Sequence, residues 1–170
     1  MSPRPCFEKV LRVLFGTTSA LLAASAVLAA ATASDQRIVA APDDASAIGR
    51  ALQLLSRKPE KVVVIDPDEA TPEGQKILAR SDAFITKGGR IVYVNRHSEV
   101  LKGARQGATI YLCMLASIIW HEMAHIDGAD EEGAQRREEG LWKRFLVEGR
   151  VDRVTALRYL KLMIDRHSGS

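Results

Sequence analysis

The sequence predicts an α+β domain: a small antiparallel sheet or hairpin packed on a helical core that contains a buried H-E-x-x-H helix. Three observations carry this reading. Lys61-Val-Val-Val-Ile65 is a β-branched run closed by Asp66-Pro67, the composition of a buried strand. Ala83–Thr86 and Arg90–Val94 flank Lys87-Gly88-Gly89, two β-rich runs around a Gly-Gly turn, which make a hairpin. Ala108–Trp120 is apolar nearly all round and leads directly into His121-Glu122-Met123-Ala124-His125, as expected of a helix at the centre of a small domain.

The elements follow in order. Arg4, Lys9 and Arg12 precede an uncharged Ala/Leu-rich run, 13–33, that ends in Ala31-Thr32-Ala33. A positive start, an apolar core and an A-x-A site describe a signal peptide over residues 1–33. The same run is long enough to serve as a membrane anchor if it is not cleaved. No Cys stands at the cleavage point, which argues against a lipoprotein. Residues 34–170 form the mature domain, one by length. Ser34 to Pro42 reads as a flexible lead-in. Asp43-Asp44 precede Ile48, Leu52 and Leu55 at helical spacing, and Pro59 stops that helix. Pro72–Arg80 reads as a short helix, and Ser98–Gln106 as another with Val100 and Leu101 inward. Gly107 separates it from the central helix, which Gly128 ends. Asp130 caps the next helix, which runs to about Glu148 and stops at Gly149. A last helix from Asp152 carries Val154, Leu157, Leu160 and Ile164 at helical spacing.

Composition narrows the function. The chain has 24 basic and 21 acidic residues in 170, and 46% of it is apolar. No Lys/Arg block exceeds two in a row and aromatics are few, so nothing points to nucleic acid. Cys6 leaves with the leader, and Cys113 then stands alone on the apolar helix. A single thiol makes no disulfide within the chain, and Cys113 reads as a small buried hydrophobe.

H-E-x-x-H places two imidazoles one helical turn apart on one face, with a carboxylate beside the first. His121 and His125 can therefore grip one ion, and Glu122 can act on a water at that ion without displacing it. Two neutral imidazoles suit Zn2+, which lowers the pKa of a bound water to about 7. A zinc hydrolase usually has a third protein ligand. On the following helix the stripe of Ala134, Leu141 and Phe145, with Trp142 alongside, also carries Glu131 and Glu138. With a loop of about three residues, the arms start side by side and separate at ~1.5 Å per residue along the helix. Glu131 is thus the expected third ligand, with Glu138 and then Glu132 as alternatives; a non-ligating Glu131 or Glu138 would support the site from behind. Glu148 and Asp152 lie too far along the arm, and His97 and His167 are poorly placed.

His121-Glu-Met-Ala-His125-Ile-Asp-Gly128 resembles the zincin metallopeptidases over roughly residues 85–150. A carboxylate ligand on the next helix is similar to the gluzincin branch, especially its minimal members. Glu131-Glu-Gly-Ala134-Gln135 looks like the E-x-x-A-N segment of small regulatory zincins, with Gln in place of Asn and a shorter separation. The resemblance implies a zinc peptidase in which Glu122 is the general base and the ion polarises the scissile carbonyl. It also implies an edge strand, here Ile91–Val94, that binds a peptide or protein substrate by strand addition; plain core sheet is the other reading of that strand. Tyr159, Arg150 and His167 are available as a further oxyanion donor. The leader implies export, periplasmic or secreted, or anchoring by residues 13–33. A non-catalytic, zinc-stabilised binding or structural protein of the cell envelope is the alternative, its ion closed by a fourth ligand such as Asp127.

Overall fold

The structure, a computed structural model, describes residues 36–167, with side chains as far as residue 161. The expected leader, residues 1–33, lies outside the described residues. The α+β architecture is present: among the described residues there are six helices and a four-stranded mixed sheet. In order these are β1 (Ile38–Val39), α1 (Pro42–Leu52), β2 (Lys61–Ile65), a 3-10 turn (Pro67–Glu69), α2 (Pro72–Leu78), β3 (Ala83–Ile85), β4 (Ile91–Asn95), α3 (Glu99–Arg105), α4 (Thr109–Ile126), α5 (Glu131–Val147) and α6 (Arg153–His167).

The sheet order is β1-β2-β4-β3. The expected hairpin forms, with Ala83, Phe84 and Ile85 opposite Val94, Tyr93 and Val92 in antiparallel register. Phe84 and Tyr93 stack across it with ring centroids 5.2 Å apart, a pair that stabilises strands beyond simple burial. Elsewhere the sheet departs from the antiparallel expectation. β2 runs parallel to both β1 and β4, because the connections between them contain helices, and parallel neighbours need such crossovers. The supposed lead-in supplies β1, whose Ile38 and Val39 pair with Val62 and Val63.

This order corrects the docking strand. Ile91–Val94 lies inside the sheet, bonded to β2 on one side and β3 on the other. Its ladder groups are already used, so it cannot accept an added strand. β3 is the edge on that side.

Helix α4 is the axis of the fold and packs against α1, α3, α5 and β3. Its Cys113, Leu115, Ala116, Ile119 and Met123 are buried in one cluster with Ile48 and Leu52 of α1, Val92 and Val94 of β4, and Trp142 and Phe145 of α5. By length and composition alone α4 could cross a membrane; here seven of its 18 residues are buried inside the protein. Asp44, buried in the first turn of α1, pairs with Arg105 of α3. That ion pair ties the helices flanking α4, and a buried carboxylate needs such a partner.

The last helix differs from its sequence pattern. Val154 and Leu157 face solvent, whereas Ala156 is fully buried. Trp142 explains the choice of face: its indole N–H donates to the Ala156 carbonyl at 3.1 Å, and its ring lies 4.1 Å from that of Tyr159. A buried indole N–H needs an acceptor, and this one turns Ala156 and Tyr159 inward.

Candidate metal centre

The end of α4 and the start of α5 build the site. After Ile126 the chain makes a Schellman turn: Ala129 N–H donates to the Ala124 carbonyl at 3.0 Å and Gly128 N–H to that of His125 at 2.9 Å. Gly128 takes φ +88°, a left-handed conformation that costs glycine little. Asp130 then caps α5, accepting from Gly133 N–H at 2.8 Å. The tight reversal brings Glu131, in the first turn of α5, against the histidines.

His121 and His125 share a face as their spacing requires, with Nε2 atoms 3.2 Å apart. Glu131 completes a triangle: Oε1 lies 3.5 Å from His121 Nε2 and Oε2 3.3 Å from His125 Nε2. The other ring nitrogens are held from behind. His125 Nδ1 is 3.0 Å from the Ala129 carbonyl, and His121 Nδ1 is 3.1 Å from Glu138 Oε2. A carbonyl or a carboxylate can only accept, so each neutral ring carries its proton on Nδ1. Both Nε2 atoms then present lone pairs, and Glu131 presents a third acceptor.

With both rings neutral, acceptors turned toward one point repel unless a cation lies among them. The dimensions suit zinc. Two ligand atoms about 2.0–2.1 Å from one ion at the tetrahedral angle are about 3.4 Å apart, close to the 3.2 Å between the Nε2 atoms and to the 3.3 and 3.5 Å from each of them to one oxygen of the Glu131 carboxylate. Among the described residues no fourth His, Cys, Asp or Glu joins this group. The Glu131 side chain is 57% exposed, against 14% and 22% for the histidines, so the centre opens to solvent on the α5 side.

The protonation of the ring and the carboxylates follows from their surroundings. Burial lowers the affinity of His121 for a proton, but the hydrogen bond and charge of Glu138, with Glu122 and Glu131, outweigh it and raise its pKa. Burial pushes the Glu122 carboxyl up to about 7, against the pull of His121 and His125, with Glu131 and Glu138 adding to the rise. Nearby cationic charge would restore the ionised form of Glu122.

The remaining candidates are placed elsewhere. Glu138 is buried and backs His121 rather than joining the triangle. Glu132 is exposed and paired with Arg136. Asp127 is turned to Arg57 and Arg137, at 2.5 and 2.7 Å, whose hydrogen bonds hold its pKa below the usual carboxylate range. It is thus engaged away from a fourth coordination position. Tyr159 donates to Glu138 Oε1 at 2.8 Å, behind His121 and not across the triangle. Arg150 pairs with Glu148 at 2.5 Å, and Asp152 caps α6 through Thr155 N–H. His97 lies 3.5 Å from Asp66, and the His167 side chain lies outside the described residues. Cys113 is fully buried, and burial pushes its thiol pKa up, as befits a core residue. Reasoning by residue type missed the Ala129 carbonyl, although Gly128 marked the turn that delivers it.

No protein-family model, curated protein or solved structure matches this chain.

Proposed function

We propose that the domain is a zinc-dependent metallopeptidase of the zincin type. The observation that carries this reading is the grouping of His121, His125 and Glu131, with the two Nε2 atoms 3.2 Å apart, each 3.3–3.5 Å from an oxygen of the Glu131 carboxylate, and an open side. These three residues would hold Zn2+, which supplies Lewis acidity toward a water and a peptide carbonyl. Glu122, adjacent in sequence to His121, would take the proton from the attacking water and return it to the leaving amine. Glu138 and the Ala129 carbonyl keep both imidazoles in the tautomer that exposes Nε2.

Peptide would be held by backbone pairing at a sheet edge. With Ile91–Val94 enclosed, that role passes to β3, Ala83–Ile85, which is the antiparallel edge and packs on α4. Together with a leader at residues 1–33, the activity would be exported, periplasmic or secreted. A closed, purely structural zinc site is less well supported, because Asp127 is committed to two arginines and Glu131 is half-exposed.

The test is Glu122→Gln, assayed with unfolded casein and a mixed peptide library. The variant keeps zinc and the fold and loses hydrolysis by at least the 10²-fold typical of a lost general base. Turnover equal to that of the unaltered chain, or no zinc-dependent hydrolysis by the unaltered chain, would refute the proposal.

A further inference from the structure

The contacts that hold His121 do not end at Glu138. Glu138 is a buried carboxylate on α5, and such a group requires donors on its oxygens. Oε2 meets His121 Nδ1 at 3.1 Å; Oε1 accepts from the Tyr159 hydroxyl of α6 at 2.8 Å. The carboxylate is therefore fixed at both ends. One end orients the ring and the other is anchored on a different helix.

Tyr159 is itself tightly placed. Its ring lies against Trp142 of α5, centroids 4.1 Å apart and tilted by 40°. The same indole holds the Ala156 carbonyl, three residues earlier on α6, at 3.1 Å. Two contacts from one buried side chain thus set how α6 lies along α5. A chain of hydrogen bonds between fixed groups transmits orientation well.

We propose that Tyr159 is a positioning residue of the metal centre, acting through Glu138 on His121, so that the C-terminal helix α6 is a working part of the site. This rests on reading His121 as a zinc ligand. Without the hydroxyl, Glu138 would be held at one end only, and the His121 ring would lose part of its fixed orientation. Residues that orient metal-binding histidines typically contribute 10- to 100-fold to affinity. A residue one step further removed should contribute less.

The experiment measures zinc affinity of the full chain by competition with a chromophoric chelator, for the unaltered protein, Tyr159→Phe, Glu138→Gln and the double variant. Tyr159→Phe keeps the ring against Trp142 and removes only the hydroxyl. It should bind zinc about 3- to 10-fold more weakly, and Glu138→Gln about 10- to 100-fold more weakly. The double variant should match Glu138→Gln within about twofold, since coupled residues are not additive. The visible bands of the cobalt-loaded chain should shift in Tyr159→Phe while the circular dichroism of its metal-free form does not. Unchanged affinity in Tyr159→Phe, independent losses that multiply in the double variant, or loss of the metal-free fold would each overturn the proposal. Failure of the unaltered chain to bind zinc would instead overturn the reading of the site on which it stands.

Discussion

His121 and His125 point their Nε2 atoms at each other across 3.2 Å, while Glu138 and the Ala129 carbonyl occupy the opposite edges of the two rings. With both rings neutral, two lone pairs at that distance, with the Glu131 carboxylate beside them, repel in the metal-free protein, and on the proposed reading a bound zinc ion would relieve that repulsion. Zinc should therefore raise the melting temperature in a concentration-dependent way. At a free concentration of a hundred times Kd the gain is about 2.7 kcal/mol. Calorimetric melts with zinc and after chelation measure it, and identical curves would contradict the expectation.

Glu131 and Glu132 are neighbours with opposite fates, which makes them a control pair. Glu131 faces both imidazoles; Glu132 is exposed and paired with Arg136 one turn on. Glu131→Ala should weaken zinc binding about a hundredfold or more, since on the proposed reading it would remove one of three ligands and not merely an orienting group. Glu132→Ala should leave affinity within about twofold, because exposed ion pairs contribute little. Equilibrium competition for zinc reads both.

The charge states of Glu122 and His121 predict how stability depends on pH. Burial above all puts the Glu122 carboxyl at about 7 in the metal-free fold, from an ordinary 4.5. The folded chain then binds more protons than the unfolded chain across that window, so stability falls as pH rises from about 4.5 to 7. The full difference is on the order of 3 kcal/mol. The raised pKa of His121 acts in the same direction: its contribution is present below the unfolded value of 6.5 and is lost as pH rises through the higher folded value. Metal-free protein should melt higher at pH 5.5 than at pH 7.5. Zinc affinity should move the other way, increasing with pH, because the ligands must shed protons to bind. Glu122→Gln should flatten the first trend over pH 5–7. A metal-free melting temperature that climbs from pH 5.5 to 7.5 would contradict these assignments.

The H-E-x-x-H helix was legible in the sequence because its pattern is local. His121, Glu122 and His125 fall within little more than one helical turn, and helical geometry alone puts the imidazoles on one face. Glu131 was legible for a related reason: a loop of a few residues leaves little freedom in where the next helix begins. Glu138 lies level with His121, and spacing could not say whether it would ligate or stand behind. The sheet was legible only in part. The Gly88-Gly89 turn declares the hairpin, but the parallel pairing of β2 with β4 joins residues 30 apart in sequence, and no local pattern encodes it. Nor did apolar spacing reveal the inner face of α6. Val154 and Leu157 make as good a stripe on paper as Ala156 and Tyr159; Trp142 decides between them in three dimensions.

Gly128 joins the fold to the site. Its φ of +88° lets the Schellman turn close, and that turn presents the Ala129 carbonyl to His125. Nothing crowds the position where a Cβ would stand, so Gly128→Ala tests backbone conformation and not packing. The substitution should cost about 1–2 kcal/mol and weaken zinc binding several-fold as His125 loses its acceptor. Urea denaturation and chelator competition measure the two effects.

The central claim is that one zinc ion lies among His121, His125 and Glu131. Anomalous diffraction at the zinc edge, from a crystal of the zinc-loaded protein, tests it most directly. The account predicts one strong peak per chain, within about 2.0–2.2 Å of both Nε2 atoms and a Glu131 oxygen, with no fourth protein atom bound to it. A peak ligated by Asp127, a peak at Asp66 and His97 alone, or no peak at all would contradict it.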